Sequence, residues 1–498
     1  MRTRPPTPTQ VQAHRYVTRR LRSALVGRDP TPGRDPGRDP GRTQSRALTA
    51  GAVLAVLGVG VAAIVGLVRG DTDWRAHAVV RGEPSGALYV VAHAPDRLVP
   101  TLNLASARLL AAVASGGASA GGSGAVPVAV RDDALADVAR TAPAGIPGAP
   151  AVLPGRDVGA AGTDGDDWAI CDTVRVDPSV PDPQARPARA TVVLGGVGIG
   201  AGPGRLGRAL APEEALLARG DDGVVWLVIG GRRARVDPRQ GAVLQALDLS
   251  AARPRVAAAG FLGALPEAPP LAPVVVPGAG STPADAAVRA LGVPVGSVVT
   301  PASPPGPAAA PFLLVLRDGV QEVPAVLAQL TRFTDPDPRA APGITAVPAA
   351  ALAAAPRSVA VDLSAYPSVF PRPVDYDAAP VVCAHPDAAS GATTVTASDT
   401  LGSPAPPTPV VDAPGVDGAL VVGAGAYVVP VGPGLPGTEA PPAPAGLVVD
   451  PGGRAFAVPS PEAADALGLG SPRPAPRAVT DLLPRGPALD PATATLMR

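Results

Sequence analysis

Residues 88 to 110, LYVVAHAPDRLVPTLNLASARLL, contain two short apolar runs around a turn, followed by a segment with helical spacing. Short runs rich in Val and Leu on either side of a turn predict a β-hairpin. The apolar residues after Asn103 recur at the spacing of one helix face, which predicts a short helix. The stretch therefore predicts one small β-β-α unit.

The same order of strand, turn, strand and helix recurs along the chain, with glycine-containing turns. A unit of this size cannot bury its apolar faces alone, so its copies must share a core. We predict an α+β fold: an elongated domain of about four β-β-α repeats around a central, mainly β module. Chance similarity in a chain so rich in Val and Gly is the alternative. The predicted repeats lie near residues 86–112, 224–248, 311–331 and 446–470, and the central module near 155–215 and 370–430.

An apolar run from Leu48 to Val68 predicts a membrane-spanning helix. Its 21 residues contain no charge and no proline, and at about 1.5 Å per residue they match a hydrocarbon layer of about 30 Å. A cleaved signal peptide is the alternative, but its charged region would be short and a small-residue cleavage site would follow. We predict a cytoplasmic arm at residues 1–46, the span at 47–69 and a periplasmic domain at 70–498.

The arm before this run is basic, with eleven Arg against three Asp in residues 1–46. The positive-inside rule then predicts a single-pass inner-membrane protein with a cytoplasmic N-terminus. Thr9 to Gln12 fits a capping box, and apolar residues follow at helical spacing. This predicts a basic amphipathic helix that contacts either anionic lipids or a cytoplasmic partner. Its basic residues are Arg15, Arg19, Arg20 and Arg22.

Cys171 and Cys383 are the chain's two cysteines, and both follow the predicted span. Neither has the spacing of a metal site, and an exported domain lies in an oxidising compartment. One long-range disulfide that ties the two halves of the central module together is the simplest interpretation. Two unpaired buried thiols are the alternative.

The chain contains no lysine, so it cannot form a Walker A loop, whose lysine binds the phosphates. Gly202 to Gly207 matches GxGxxG, but Pro203 lies inside it and the surroundings are glycine-rich. Gly117 to Gly121 matches a nucleophile elbow but lacks the strand that must precede the turn. We interpret both as loops.

No other constellation predicts catalysis or metal binding. His14, His77, His93 and His385 share no ligand spacing. Beyond Arg46 the chain is net acidic, which gives no support to nucleic-acid binding. We therefore predict no catalytic residue, no cofactor and no metal. Four acidic pairs are interpreted as solvated turns: Asp132-Asp133, Asp166-Asp167, Glu213-Glu214 and Asp221-Asp222.

Short segments in the same order along the whole chain resemble the EccB family, a membrane component of the actinobacterial type VII (ESX) secretion system. The chain departs from the family pattern in an insertion that repeats Gly-Arg-Asp-Pro three times, beginning at Gly27, Gly33 and Gly37. The segments that carry the resemblance are Thr9 to Val11, Arg15 to Tyr16, Arg19 to Leu21, Ala24 to Val26, Gln44 to Leu48, Gly86 to Val90, Leu102 to Leu109, Trp168 to Asp172, Gly231 to Asp237 and Leu483 to Leu489.

The resemblance implies a structural subunit of the secretion complex, assembled with the EccC motor ATPase, EccD, EccE and a mycosin protease. It implies periplasmic repeats similar to peptidoglycan-binding folds around a disulfide-held centre, and an N-terminal helix against EccD-type cytosolic domains. ATPase activity is also attributed to the family. A membrane-anchored peptidoglycan-binding protein and a periplasmic ATP hydrolase are the alternative functions.

Overall fold

The computed structural model divides the chain into two parts, Met1–Asp73 and Trp74–Arg498. The described residues are 7–25, 51–57, 73–116, 124–155, 167–175, 188–196, 206–237, 241–272, 274–302, 311–334, 343–364, 366–375, 377–403, 405–410, 415–435 and 444–496.

The N-terminal part contains helix α1 (Pro8–Leu25). The backbone N–H of Thr7 donates to Oε1 of Gln10 at 3.1 Å, so the capping contact joins Thr7 and Gln10. The predicted box at Thr9 to Gln12 is therefore wrong by two residues, because Pro8, which lacks an N–H, takes the first helical position.

Residues 51–57 are also helical, but Leu48 and Val68 lie outside the described residues. Within the described part of the chain, no helix is both long and apolar enough to cross a bilayer. The membrane span therefore stays a prediction.

The second part is a mixed α+β structure that consists mostly of β-sheet. Its helices are α2 (Leu104–Ala114), α3 (Gly241–Ala246), α4 (Ala259–Gly263), α5 (Ala286–Arg289), α6 (Ala325–Thr334), α7 (Ala349–Ala354), α8 (Pro461–Leu467), α9 (Arg477–Thr480) and α10 (Pro491–Leu496). Its strands are β1 (Val79–Glu83), β2 (Leu88–Ala92), β3 (Arg97–Thr101), β4 (Val128–Arg131), β5 (Asp167–Arg175), β6 (Ala188–Gly196), β7 (Arg208–Ala209), β8 (Glu214–Arg219), β9 (Val225–Ile229), β10 (Arg232–Val236), β11 (Arg255–Val256), β12 (Glu267–Ala268), β13 (Val298–Pro301), β14 (Phe312–Val315), β15 (Val320–Val323), β16 (Thr345–Val347), β17 (Arg372–Pro373), β18 (Val381–Pro386), β19 (Thr393–Ser398), β20 (Thr408–Pro409), β21 (Gly418–Val421), β22 (Ala426–Val431), β23 (Gly446–Val449), β24 (Ala455–Val458) and β25 (Arg473–Pro476).

Four of the sheets share one strand order. In each, three consecutive antiparallel strands precede a helix and then a strand that lies parallel to the first: β1–β4, β8–β11, β13–β16 and β22–β25. The predicted hairpins correspond to the second and third strands of each sheet. The prediction therefore missed the first and the fourth strand. We call these sheets with their helices subdomain 1 (residues 74–155), subdomain 2 (211–272), subdomain 3 (274–369) and subdomain 4 (426–496).

The four subdomains also share a backbone hydrogen bond at the same position. The third strand of each gains a further parallel neighbour from the segment after its fourth strand. In every case an N–H of the third strand donates to a carbonyl of that segment, at 2.8 to 3.0 Å. The four bonds are Leu98 to Ala139, Arg233 to Pro266, Val320 to Pro356 and Ala455 to Pro484.

Subdomains 1 and 4 pack through their helices, although they lie at opposite ends of this part of the chain. Helix α2 contacts α8 and α10, and Nη1 of Arg108 donates to the Leu467 carbonyl at 2.6 Å. The backbones meet at Gly124 and Gly468, where a Cβ on Gly124 would lie 2.6 Å from the Cα of Gly468. The shared core contains Leu109, Ile146, Phe456, Leu467, Leu489 and Ala494.

Subdomains 2 and 3 pair in the same manner, through α3 and α6. Val243 and Leu247 of α3 share a core with Val326 and Leu330 of α6. Both helix pairs therefore bury apolar faces that one isolated subdomain would leave in water.

A seven-stranded central sheet, in the order β20-β21-β6-β5-β18-β19-β7, lies between the two pairs. The largest core contains Trp168 of the central sheet, Trp226 and Phe261 of subdomain 2, and Val428 and Val479 of subdomain 4. Subdomain 1 therefore contacts subdomain 4, subdomain 4 contacts the central sheet, the central sheet contacts subdomain 2, and subdomain 2 contacts subdomain 3. The first and last subdomains of the sequence thus pair with each other, and the two middle ones pair with each other.

The β9–β10 turn docks on the central sheet at Gly231. This residue has φ +72°, and a Cβ there would overlap the carbonyl oxygen of Thr393. The neighbouring Gly230 has φ +56°, but a Cβ there would meet nothing within 4 Å. Gly231 is therefore required both by its conformation and by the close approach of the two backbones.

We expect Gly231→Ala to lower the free energy of unfolding by about 3 kcal/mol or more, since it adds a backbone overlap to an unfavourable φ. The matched control Gly230→Ala should cost only about 1 kcal/mol, from φ alone. Urea unfolding followed by tryptophan fluorescence measures both. Equal losses in the two variants would mean that the contact with Thr393 does not constrain the turn.

Candidate functional site

The two cysteines lie directly opposite each other on β5 and β18 and form a disulfide. Their Cα atoms are 4.0 Å apart, and 212 positions of sequence separate them. Both are buried, in a cluster with Leu194 and Leu206. In the chain-entropy model, closing so long a loop contributes at most about 5 kcal/mol. The bridge joins the two halves of the central sheet.

Asp172, the residue after the first cysteine, is fully buried at the joint between the central sheet and subdomain 2. Its carboxylate accepts hydrogen bonds from Oγ1 of Thr191 at 2.8 Å and from the N–H of Ala258 at 2.9 Å. Burial raises the pKa of the Asp172 carboxyl, and the two hydrogen bonds oppose this shift. Ala258 is the N-cap of α4, so Asp172 satisfies a helix terminus that Ala cannot cap itself.

Arg255 of β11 provides the positive charge of the same joint. Its guanidinium donates to the carbonyls of Ala379 and Pro380 at 3.2 and 3.3 Å. Burial lowers the pKa of Arg255 to about 10, while the charge of Asp172 acts in the opposite direction. Buried charges are costly when they are mispaired, so this arrangement favours one relative position of subdomain 2 and the central sheet.

The sequence reading did not find Asp172 or Arg255. One signal was available: Asp172 follows the apolar stretch Trp168 to Cys171, and a carboxylate inside a buried strand requires polar partners. The partners themselves lie far along the chain, so the sequence could not identify them.

Two histidines of the second part of the chain, His385 and His93, have different polar neighbours, with no metal ligand in common. Nε2 of His385 is 3.0 Å from Oγ1 of Thr396, and burial lowers the pKa of His385 to about 4. Nδ1 of His93 is 3.2 Å from Oδ1 of Asp96 on the surface of subdomain 1. Among the described residues, no group of His, Cys, Asp and Glu is arranged to hold a metal ion.

The interpretation of the acidic pairs as solvated turns is confirmed for Asp221-Asp222, which lies in an exposed turn. It is wrong for Asp167 and Glu214, which lie in strands, and for Asp132-Asp133, which begins a short 3-10 helix. Several of these carboxylates bind partners on other segments, which no local pattern indicates. Asp166 lies outside the described residues. Glu214 binds Arg208, Asp221 binds Arg189, Glu213 binds Arg372, and Asp132 accepts from both the N–H and the hydroxyl of Ser85.

Most of the two glycine-rich motifs cannot be placed in the fold. Residues 117–121 and 202–205 lie outside the described part of the chain. Gly207 has φ +97°, and a Cβ there would overlap the carbonyl oxygen of Ala397 on β19. Gly207 therefore has a packing role.

Helix α1 exposes apolar side chains beside its arginines. Val17 and Leu21 are 53% and 60% exposed, and Tyr16 is exposed as well. An apolar stripe on a basic helix is typical of a surface that contacts lipid or another protein. Arg15, Arg19, Arg20 and Arg22 all lie within this helix.

We expect His385→Gln to reduce the loss of stability in acid. Because burial keeps the imidazole neutral, only the unfolded chain binds a proton between pH 6.5 and about pH 4. The contribution of His385 is therefore present above pH 6.5 and is lost as pH falls, by about 2 kcal/mol between pH 7 and pH 5. Urea unfolding at both pH values measures it. The control His14→Gln, at an exposed position of α1, should leave the difference unchanged, and an unchanged difference in His385→Gln would contradict the assignment.

Comparison with known proteins relates the whole chain to one family. The family model described as "Type VII secretion system ESX-1, transport TM domain B" matches residues 3–498. The ESX-3 secretion system ATPase EccB3 of Mycolicibacterium smegmatis is 33% identical over 387 residues, which cover 76% of this chain and 66% of that protein. The protein of the same name from Mycobacterium tuberculosis is 31% identical over 520 residues, covering 98% and 88%.

Solved structures give the same result. The structure of the EccB3 dimer from the ESX-3 core complex has a TM-score of 0.67 at 29% identity and covers 84% of this chain and 100% of that chain. A chain of the intact ESX-5 inner membrane complex has a TM-score of 0.66 at 27% identity and covers 100% and 96%. The resemblance read from the sequence is confirmed, and the chain belongs to the EccB family of the type VII (ESX) secretion system.

Proposed function

We propose that this chain is a structural subunit of a type VII secretion inner membrane complex, where it serves as a scaffold for other proteins. The observation that carries this proposal is the match of the whole chain to a subunit of the intact ESX-5 inner membrane complex. The internal construction agrees with a scaffold, since Asp172 and Arg255, the most deeply buried charged groups among the described residues, join subdomain 2 to the central sheet.

We infer that the four subdomains are copies of one repeat. The support is the shared strand order and the recurring hydrogen bond from the third strand to the segment after the fourth. A shared composition alone would not place that bond at the same position four times. Repeats that share cores with their neighbours are suited to displaying several binding surfaces at fixed distances.

The proposed topology has residues 1–46 in the cytoplasm, one span between Leu48 and Val68, and residues 70–498 in the periplasm. The apolar run, the excess of arginine before it and the buried disulfide after it support this arrangement.

Epitope tags at the two ends test the topology. Protease added to spheroplasts should remove a C-terminal tag and spare an N-terminal one, because only the periplasmic side is accessible. Detergent lysis is the control and should expose both tags. Protection of the C-terminal tag before lysis would exclude the proposed orientation.

The proposed partners are EccC, EccD, EccE and a mycosin-type protease, with α1 docking against a cytoplasmic domain or against lipid. The apolar stripe that includes Val17 and Leu21 supports a docking role for α1.

Mild-detergent purification of the full-length protein from its native membrane, followed by mass spectrometry, tests the function. A motor ATPase and a polytopic membrane protein should be recovered in fixed ratio. Leu21→Glu should release cytoplasmic components, because it puts a charge into the apolar stripe of α1. Gln12→Glu adds the same charge on the opposite helix face and should retain them.

A lone chain, under conditions that preserve other membrane complexes, would contradict the scaffold. If that lone chain sedimented with purified cell wall, a peptidoglycan-binding role would take its place.

Relatives of this chain carry the name ATPase. ATP hydrolysis by this chain would require a site other than a Walker A loop, since the chain has no lysine.

A further inference from the structure

A groove of about 220 Å³ lies where the segment that ends subdomain 3 meets the sheet of subdomain 2. We call it the joint groove. Ile229, Ala234 and Leu271 line it from subdomain 2, and Tyr366 and Val369 line it from the last residues of subdomain 3. The hydroxyl of Tyr366 donates to the carbonyl of Ala272 at 2.8 Å, which fixes this wall against subdomain 2.

The size of the joint groove limits its occupant. Sites for small molecules and cofactors usually measure about 300 to 1,000 Å³, whereas a cavity of about 150 Å³ holds benzene. A volume of about 220 Å³ therefore suits one aromatic or large aliphatic side chain, and it is too small for a nucleotide.

The charge of the joint groove also limits its occupant. Arg232 is the one charged residue among the described residues that line it. Arg232 is exposed, and within the described part of the chain its guanidinium has neither an ion-pair nor a hydrogen-bond partner. The nearby carboxylate of Asp362 accepts from the backbone N–H of Ser364 at 2.9 Å. The groove therefore combines an apolar wall with a cation that is available to an anion from outside.

An apolar surface continues beyond the groove. Val369 is 44% exposed and the next residue, Phe370, is 39% exposed. Two adjacent exposed apolar side chains beside a groove are typical of a surface that a second polypeptide covers.

We propose that the joint groove is a docking site for an acidic segment of a partner protein. The segment inserts one large apolar side chain and places a neighbouring carboxylate on Arg232. This inference rests on the proposed scaffold function, because a scaffold binds its partners through such surfaces. It also gives the contact between subdomains 2 and 3 a role, since both contribute to the groove.

Two blocked dipeptides test the chemistry on the purified full-length protein. The probes are acetyl-4-fluorophenylalanyl-glutamate amide and its glutamine counterpart, and fluorine NMR line broadening measures their binding. The glutamate probe should bind about fivefold more tightly, because only it offers a carboxylate to Arg232. Arg232→Gln should abolish the preference, and the control Arg219→Gln, an exposed arginine of the same sheet outside the groove, should keep it. Equal binding of the two probes to the wild type would overturn the proposal.

A photo-crosslinker at position 369 tests the site within the native complex. Cross-linking to an acidic segment of another subunit, mapped by mass spectrometry, supports the proposal. An intact complex without such a cross-link overturns the joint groove and leaves the scaffold function standing, as does cross-linking to glycan. Failure to recover any complex would contradict the scaffold function itself, while the dipeptide result still decides the chemistry of the groove.

Discussion

The antiparallel pairing of β5 with β18 is the constraint on which the rest of the structure depends. It brings together residues 212 positions apart and fixes them with a disulfide. A segment of chain inserted between these two paired strands must therefore begin and end close together in space. The chain meets this condition at β8 and β17, where the N–H of Arg372 donates to the Glu213 carbonyl at 2.7 Å. Subdomains 2 and 3 are thereby an insertion with adjacent ends.

Composition shapes how these cores are packed. Aromatic residues make up only 3% of the chain, and several of their rings pack directly against glycines. A Cβ on Gly195 would overlap the ring of Trp168, and a Cβ on Gly486 would overlap the ring of Phe456. Glycine opposite a large ring lets a core built mainly from Val, Leu and Ala stay closely packed. The abundance of glycine is thus partly a packing property.

The sequence predicted local elements well and their assembly poorly. Hairpins such as β2–β3 and β23–β24 are encoded by adjacent apolar runs, so their pattern is visible in a short window. The fourth strands were missed because they are short edge strands: β25, Arg-Pro-Ala-Pro, contains two prolines, which an edge strand tolerates. The pairing of α2 with α8 and the contact of Asp172 with Ala258 join distant residues, and no local pattern encodes them. The cysteines were an exception, since only one pairing of two residues exists.

The contact between α2 and α8 has a consequence for biosynthesis. Arg108 and the carbonyl it binds, that of Leu467, are 359 residues apart. A ribosome releases α2 long before it makes α8, so the apolar face of α2 has no permanent cover while most of the chain is being synthesised. A late stop codon would thus remove more than the last subdomain. It would also leave the first subdomain, though complete in sequence, without the surface against which it closes.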